Sequence, residues 1–302
     1  MKTYDSIIIG AGPAGITASV YAARKKMDFL VITKDIGGQA ALSGDVENYT
    51  GYQFISGPEL VAKFEEHLRK FNIFIKENEE VVELKKENNL VLVKTKKDVY
   101  TAKTAIVASG KRSKELNVVG EKEFKNRGLT YCATCDAPLF ADKNVAVIGG
   151  GNSALDAVFQ LMKIAKEIYL INNTSSLGGD PIMREKVEES KRVKIFNNSE
   201  VLEILGDKFV EGIKIRKDKD IKELSVEGVF VEIGLIPNSE FVKDVKKNQF
   251  GEIKINCKNE TSIAGIFACG DVTDVPEKQI IVACGEGAKA ALSAFRFLFM
   301  QR

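Results

Sequence analysis

Two cysteines three positions apart, Cys132 and Cys135 in Tyr131-Cys132-Ala133-Thr134-Cys135-Asp136, are the residues of this 302-residue chain best suited to chemistry. C-x-x-C near a βαβ pattern points first to a redox dithiol. One thiolate attacks a partner and the second resolves the mixed disulfide. Asp136 follows directly, where a carboxylate can supply or take the proton that the exchange moves. Half of a zinc site is the alternative, but zinc takes four nitrogen or sulfur ligands at such spacings. Cys257, Cys269 and Cys284 stand singly and His67 is the only histidine, so redox chemistry is favoured and no metal is expected. The three single cysteines are expected as buried small hydrophobes, and His67 as a surface residue on a helical run from Glu59 to Phe71.

The elements that position this pair are written twice. Ser6 to Ile9 form an apolar, β-favouring run ending in Gly10-Ala11-Gly12-Pro13-Ala14-Gly15, followed by a helical pattern and a short strand from Phe29 to Ile32. A GxGxxG between strand and helix is a dinucleotide-binding fingerprint: the glycines admit a pyrophosphate, which sits on the helix N-terminus. Thr33, Lys34 and Asp35 occupy the region where a ribose-binding acid is expected. Later, Asn144 to Ile148 lead into Gly149-Gly150-Gly151-Asn152-Ser153-Ala154, a helix to about Lys163 and a strand from Ile168 to Ile171. This duplication predicts two dinucleotide-binding units. Between them, Val81 to Leu84, Leu90 to Thr95 and Thr104 to Val107 read as antiparallel strands with polar turns. The tail, Ile280 to Phe299, reads as an amphipathic helix.

Length gives a prior of about two domains. A formal net charge of +2 is too small to argue for nucleic acid or an anionic membrane surface. No apolar run reaches the roughly 18 residues that span a bilayer. Five cysteines, mostly isolated, do not suggest a secreted disulfide framework, and no leader pattern precedes the first strand, so a reducing cytoplasm is expected.

Several further motifs stand in order with these: Gly37-Gly38-Gln39, Glu47-Asn48-Tyr49, Ala108-Ser109-Gly110 and Ala268-Cys269-Gly270-Asp271. Together they resemble the low-molecular-weight thioredoxin reductase family over essentially the whole chain. Asp136 to Phe140, Val229 to Asn238 and Lys278 to Ala290 are most similar to the reductase portion of the alkyl hydroperoxide reductase flavoprotein. The resemblance implies an α/β fold of two Rossmann-like domains of the three-layer ββα type, the second inserted into the first. An FAD domain would take residues 1–111 and 241–302, and a pyridine-nucleotide-type domain carrying the cysteine pair would take 112–240.

It also implies roles. Gly10, Gly12, Pro13, Ala14 and Gly15 would hold the FAD pyrophosphate, and Gly38, Gln39 and Asn48 the flavin. Val81, Ala108, Gly110 and Gly270 would complete the FAD site, with Asp271 on the ribitol and Lys278, Gln279 and Ile280 near the isoalloxazine. Cys135 would face the flavin, Cys132 would attack the partner disulfide, and Asp136 would be the acid/base. The inserted domain would rotate about hinges near Gly110–Ser113 and Gly234–Asn238, and the protein would be a homodimer. The flavoprotein it most resembles carries an N-terminal thioredoxin-like module; this chain starts at the FAD strand, so its thiol acceptor is expected to be a separate protein.

The second nucleotide site departs from the pattern. Gly149, Gly151, Asn152, Ser153 and Ala154 keep the phosphate turn. NADPH-using members carry a His-Arg-Arg type cluster after the next strand, where this chain has Asn172-Asn173-Thr174-Ser175-Ser176. Without a cation there NADPH is disfavoured; Asn172 can still bind a ribose, which favours NADH. Reduced ferredoxin is the other candidate donor, as in some anaerobes. The leading expectation is an FAD-dependent disulfide reductase acting on thioredoxin or a thioredoxin-like protein. The alternatives are the reductase of a peroxiredoxin system acting through a separate dithiol carrier, and a redox-sensing flavoprotein without turnover.

Overall fold

In the computed structural model, residues 2–43 and 45–300 are described, apart from the side chains of Asp45, Thr134 and Cys135. In chain order the principal elements begin with β1 (Thr3–Ala11), α1 (Pro13–Arg24), β2 (Phe29–Ile36), α2 (Gly57–Arg69), β3 (Phe74–Lys76), β4 (Val81–Glu87), β5 (Leu90–Thr95), β6 (Val99–Val107) and β7 (Lys111–Ser113). The middle of the chain supplies β8 (Leu129–Thr130), α3 (Ala133–Asp136), β9 (Asn144–Ile148), α4 (Asn152–Met162), β10 (Glu167–Ile171), α5 (Pro181–Glu189) and β11 (Val193–Phe196). It continues through β12 (Ser199–Gly206), β13 (Val210–Lys217), β14 (Asp220–Ser225), β15 (Gly228–Val231) and β16 (Leu235–Pro237). The return segment adds β17 (Ile266–Ala268) and α6 (Ile280–Met300).

Two compact units result: residues 1–112 with 236–302, and residues 113–235. The chain leaves the first unit along β7 and returns along β16, and these two strands pair with each other. Both units are α/β with a parallel sheet, Rossmann-like, and the second interrupts the first.

In the first unit the sheet order is β3-β2-β1-β6-β5-β4, with β17 also on β6. β1, β2, β3, β6 and β17 run parallel, whereas β4, β5 and β6 form an antiparallel run. β6 is long enough to serve both parts. Alternation along the strands fixes the layers, since successive side chains point to opposite faces. Ile8, Val31 and Ile106 pack toward α1 and α6, against Ala18, Ala22, Ala290 and Ala294. Ile7, Ile9, Leu30 and Ile32 pack the other way, with Val91, Val93, Val242 and Ile253. Each such fully buried side chain contributes about 1.5–3 kcal/mol relative to exposure.

The second unit repeats the scheme. Its parallel sheet has the order β8-β15-β9-β10-β11, and β12, β13 and β14 form a separate antiparallel sheet. Val145, Val147, Leu170 and Phe230 face α4, through Leu155, Val158 and Leu161. Ala146, Ile148, Val229 and Val231 face β13, through Ile213 and Ile215.

Element limits differ modestly from the sequence expectation. β6 begins at Val99 rather than Thr104, because its first half pairs with β5. The helix around His67 begins at Gly57, where Ser56 accepts the Glu59 N–H as an N-cap. The expectation for the single cysteines needs one correction: Cys269 and Cys284 are buried, but Cys257 is exposed. It lies in the Asn256–Asn259 turn, where Asn256 accepts the Lys258 N–H and no core element reaches it. Among the described residues no helix is long and apolar enough to cross a membrane, and no cluster of three or more metal-ligating side chains occurs.

Candidate functional site

The redox segment begins where β8 ends. Thr130 is the last strand residue, and its hydroxyl accepts the Cys132 N–H at 3.1 Å and donates to Asp136 Oδ2. The Asp136 N–H closes the short α3 turn onto the Cys132 carbonyl at 3.2 Å. One hydroxyl therefore ties the acid to the backbone of the first cysteine. Cys132 is disulfide-bonded, whereas Cys257, Cys269 and Cys284 are free. The role expected for the Cys135 side chain lies outside the described residues. Burial pushes the Cys269 and Cys284 thiols up, away from the reactive thiolate form. Tyr131 donates to Glu121 at 2.7 Å, which fixes the strand before the pair.

A second carboxyl reaches this segment. Glu232, just after β15, accepts the N–H of Ala133, and burial pushes its pKa up to about 7, with Asp156 on α4 adding a like charge. Its backbone N–H donates to Ile148 at 2.8 Å, and a Cβ at Gly149 would stand 2.2 Å from its carbonyl oxygen.

In the first unit the glycine turn joins β1 to α1. A Cβ at Gly15 would come to 1.9 Å from the Gly10 carbonyl oxygen, so only glycine admits this strand-to-helix approach. α1 starts with Pro13, and its N-cap Gly12 supplies no side chain, which leaves the first helical N–H groups open to an anion. Thr33, at the end of β2, accepts the Ala11 N–H at 3.2 Å and donates to Asp35 O at 2.5 Å; it braces the turn. Gly38 lies against it, its Cβ direction 3.5 Å from Gly12 Cα, and Gly37 donates to Ala11 O at 2.7 Å. Ala108 closes the back of the turn, its carbonyl oxygen 2.4 Å from a Cβ at Gly10. Gly270 packs on Ala14. Glu79 N–H donates to Thr33 O, which brings the start of β4 at Val81 to the end of β2.

The remaining first-unit candidates gather in two places. Asn48 donates to Gln279 at 3.0 Å, and Ile280, the first residue of α6, packs with Val46, Ile55 and Leu60. Gln39 lies in the short helical turn Gly38–Leu42, and Gly110 accepts the Asn238 N–H at 2.9 Å. Lys278 reaches Glu252 at 3.1 Å and Lys111 reaches the same carboxylate at 2.8 Å, beside Asp271. Burial raises the Asp271 pKa, with Lys278 and Lys111 acting against it. Burial also opposes the Glu252 charge, but hydrogen bonds from Lys111, Asn248 and Lys278 outweigh it and hold its pKa at about 2. Thr130, Glu232 and Glu252 were not singled out by sequence reasoning. Glu252 follows Asn248-Gln249-Phe250-Gly251, an ordinary turn sequence with no chemical signature.

The second glycine turn has the same form: Gly151 is an extended N-cap with no side chain, and α4 begins at Asn152 with open N–H groups. Asn152 accepts the Asp180 N–H at 2.8 Å, and Gly178 N–H donates to Gly150 O at 2.7 Å, so the segment after β10 folds back onto the turn. Ser153 and Ala154 follow in the first turn of α4, with Ala154 buried. Asn172 is buried and engaged by its own loop and by Asn197 after β11. Its amide donates to Thr174 O, Ser176 O and Asn197 Oδ1 at 3.1, 3.0 and 2.9 Å, and its oxygen accepts from the Thr174 hydroxyl at 2.9 Å.

Residues 4–287 match the pyridine nucleotide-disulphide oxidoreductase family. Among curated relatives, the chain is 38% identical to a Bacillus subtilis protein named NADH dehydrogenase and 39% identical to an alkyl hydroperoxide reductase component (AhpF) of Pseudomonas aeruginosa. Each alignment covers 98% of this chain but only 59% and 58% of the relative, so the chain spans less than three fifths of their length. Among solved structures, the thioredoxin reductase of Lactococcus lactis superposes with a TM-score of 0.85 at 32% identity, covering 99% of this chain and 100% of that one. A ferredoxin-flavin thioredoxin reductase from Clostridium acetobutylicum gives a TM-score of 0.55 at 32% identity, covering 99% of both chains. With two glycine turns, a disulfide-bonded Cys132 and this match over nearly its whole length, the chain belongs to the pyridine nucleotide-disulphide oxidoreductases, an FAD-binding family, as a flavoprotein of the thioredoxin reductase type.

Proposed function

We propose that this protein is a disulfide reductase that passes electrons through FAD and the Cys132/Cys135 pair to thioredoxin or a thioredoxin-like protein. The observation that carries it is the redox segment, where Cys132 is held oxidised and one hydroxyl, that of Thr130, binds both the Cys132 N–H and the Asp136 carboxyl. FAD would lie on the Gly10–Gly15 turn, with Gly38, Gln39, Asn48, Val81, Ala108, Gly110, Gly270 and Asp271 around it, and Lys278, Gln279 and Ile280 toward the flavin. It supplies the two-electron chemistry; the protein's part is to bind it, hold Cys132 and Cys135 for exchange and move the proton. Cys132 attacks the partner's disulfide, and Asp136 carries the proton that the exchange releases or consumes.

For the electron donor, NADH ranks first, a non-pyridine donor such as ferredoxin second and NADPH last. Asn172–Ser176 offers no cation for a 2′-phosphate, and the Asn172 amide is engaged by its own loop at Thr174 and Ser176 and by Asn197 after β11. NADH would then lie over Gly149–Ala154 and displace part of that loop's hydrogen bonding. The similarity to the alkyl hydroperoxide reductase component supports a second reading, in which a separate dithiol carrier takes the electrons to a peroxiredoxin. A homodimer is part of the proposal, carried by resemblance.

The test is an anaerobic titration of the purified flavoprotein with NADH, NADPH and photoreduced ferredoxin in separate runs, following bleaching of the flavin absorbance. Addition of a thioredoxin disulfide should then restore the colour. Rapid bleaching by NADPH alone would overturn the donor ranking. Failure of any thioredoxin-like disulfide to reoxidise the reduced protein would overturn the reductase reading.

A further inference from the structure

We propose that Lys111, Glu252 and Lys278 tune the reduction potential of the bound FAD: two ammonium groups on one carboxylate keep a surplus positive charge that favours the reduced, more negative cofactor. The proposal rests on FAD lying on the Gly10–Gly15 turn, and it adds a control on the electron affinity of that site.

The cluster lies within the first unit and joins segments distant in sequence. Lys111 Nζ stands 2.8 Å from Glu252 Oε1, and Lys278 Nζ stands 3.1 Å from the same oxygen. The other carboxylate oxygen accepts the Asn248 amide at 2.6 Å, and Lys278 also donates to Thr273 O at 2.5 Å. Both lysines are thus held in place. The Lys111 and Glu252 side chains are only 13% and 12% exposed, and Lys278 is 23% exposed, so salt and water screen their field weakly. Among the described residues neither lysine pairs with a second carboxylate. Glu252 therefore neutralises one of two cations and leaves the other uncompensated.

Position brings this charge to the dinucleotide. A ligand of an open α/β sheet binds outside the carboxyl ends of the strands. β1 and β17 both pair with β6, and β1 ends in the glycine turn. β6 runs from Val107 through Ala108 and Gly110 to Lys111, and β17 from Ala268 through Gly270 to Asp271. Both continuations touch the turn: a Cβ at Gly10 would stand 2.4 Å from Ala108 O, and one at Gly270 2.9 Å from Ala14 Cβ. Lys278 precedes Gln279, whose side chain accepts from Asn48 at 3.0 Å. The cluster shares the ligand edge of the sheet.

The linkage follows from charge. A hydride donor gives up two electrons and one proton, is oxidised by those two electrons, and leaves the cofactor one unit more negative. A fixed positive charge nearby favours that product, and its removal disfavours it. Asp271 is present in every variant below, so its charge does not set the sign of the shift.

The experiment measures the reduction potential of the flavin in the FAD-bound, full-length protein. The protein is equilibrated without oxygen against a reference dye, while xanthine and xanthine oxidase supply electrons slowly through methyl viologen. Lys111→Gln removes a positive charge. At a fixed potential it should lower the ratio of reduced to oxidised flavin roughly three- to tenfold, a fall of up to ~30 mV for a two-electron couple. Lys111→Arg keeps the charge and should stay within about twofold of wild type. Glu252→Gln removes the negative charge and should raise the ratio by a similar factor. A merely structural role would move Lys111→Gln and Glu252→Gln the same way or not at all, so opposite signs are the signature. An unshifted Lys111→Gln, an arginine variant that falls as far as the glutamine one, or two variants shifted in one direction would overturn the proposal. If Glu252→Gln does not retain FAD, Lys278→Gln is measured instead: its ratio should fall as for Lys111→Gln, and an unshifted value overturns the proposal. A wild-type protein that neither carries FAD nor takes it up on addition refutes the FAD reading itself, a distinct result.

Discussion

A single hydroxyl, that of Thr130, binds both the Cys132 N–H and the Asp136 carboxyl, so the orientation of the acid depends on a residue with no chemistry of its own. Replacing Asp136 with Asn should slow exchange by the ~100-fold or more typical of general acid/base loss. Thr130→Val keeps the shape of the strand residue but releases both partners, and should cost an intermediate amount, about tenfold. Both are read from the rate at which the reduced protein reduces a thioredoxin disulfide in stopped flow; an unchanged Thr130→Val rate would mean that Asp136 is oriented otherwise. Cys135→Ser should retain bound FAD yet lose flavin-to-disulfide transfer, visible as a flavin that bleaches with donor and does not recolour with disulfide. The cysteine pair and its acid are legible in sequence because C-x-x-C-D is rare as core and specific as chemistry. Thr130 is not, because a threonine in a strand is an ordinary residue whose meaning appears only when the fold brings its hydroxyl to the Cys132 N–H and the Asp136 carboxyl.

Elements are where the sequence speaks most clearly and where energetics can be checked. The two strand–turn–helix units are visible because short apolar runs, clustered glycines and helical periodicity fall in one order twice. Gly15→Ala places a Cβ 1.9 Å from the Gly10 carbonyl oxygen, so β1 and α1 must separate. We expect loss of FAD from the purified protein and destabilisation of on the order of 1–3 kcal/mol, the range for forced overpacking, measured by flavin-to-protein absorbance ratio and chemical denaturation. The cluster at Glu252 is different in kind: it joins β7, the loop before β17 and the loop before α6 through Lys111 and Lys278, side chains distant in sequence. No local pattern announces such a contact. Because the folded Glu252 pKa lies below its ordinary value, its stabilisation is present above about pH 4.5 and is lost as pH falls toward 2. Glu252→Gln should therefore destabilise the protein at pH 7, and the difference from wild type should shrink in acid; an equal difference at pH 7 and pH 3 would rule out an electrostatic role.

At the scale of the whole molecule, the second unit is one uninterrupted stretch of chain with a core on each face of its sheet, Val147 and Leu170 on one side and Ile148 and Val229 on the other. Its ends are neighbours, since Lys114 N–H donates to Gly234 O at 2.9 Å. A stretch with its own core and adjacent ends meets the requirements for independent folding. Residues 113–235 expressed alone should therefore unfold cooperatively in circular dichroism, as single domains of this size do. The network of Thr130, Cys132 and Asp136 lies wholly within this stretch. The fragment should thus form and break its disulfide reversibly in dithiothreitol buffers, read by thiol trapping, although it has no FAD turn. The first unit cannot be excised in the same way, because β17 and α6 return after the insertion to complete the sheet and the α1 face. If the fragment failed to unfold cooperatively, the repeated turn would be a sequence repeat without an independent fold, and the redox segment would depend on the first unit for its shape as well as for its electrons.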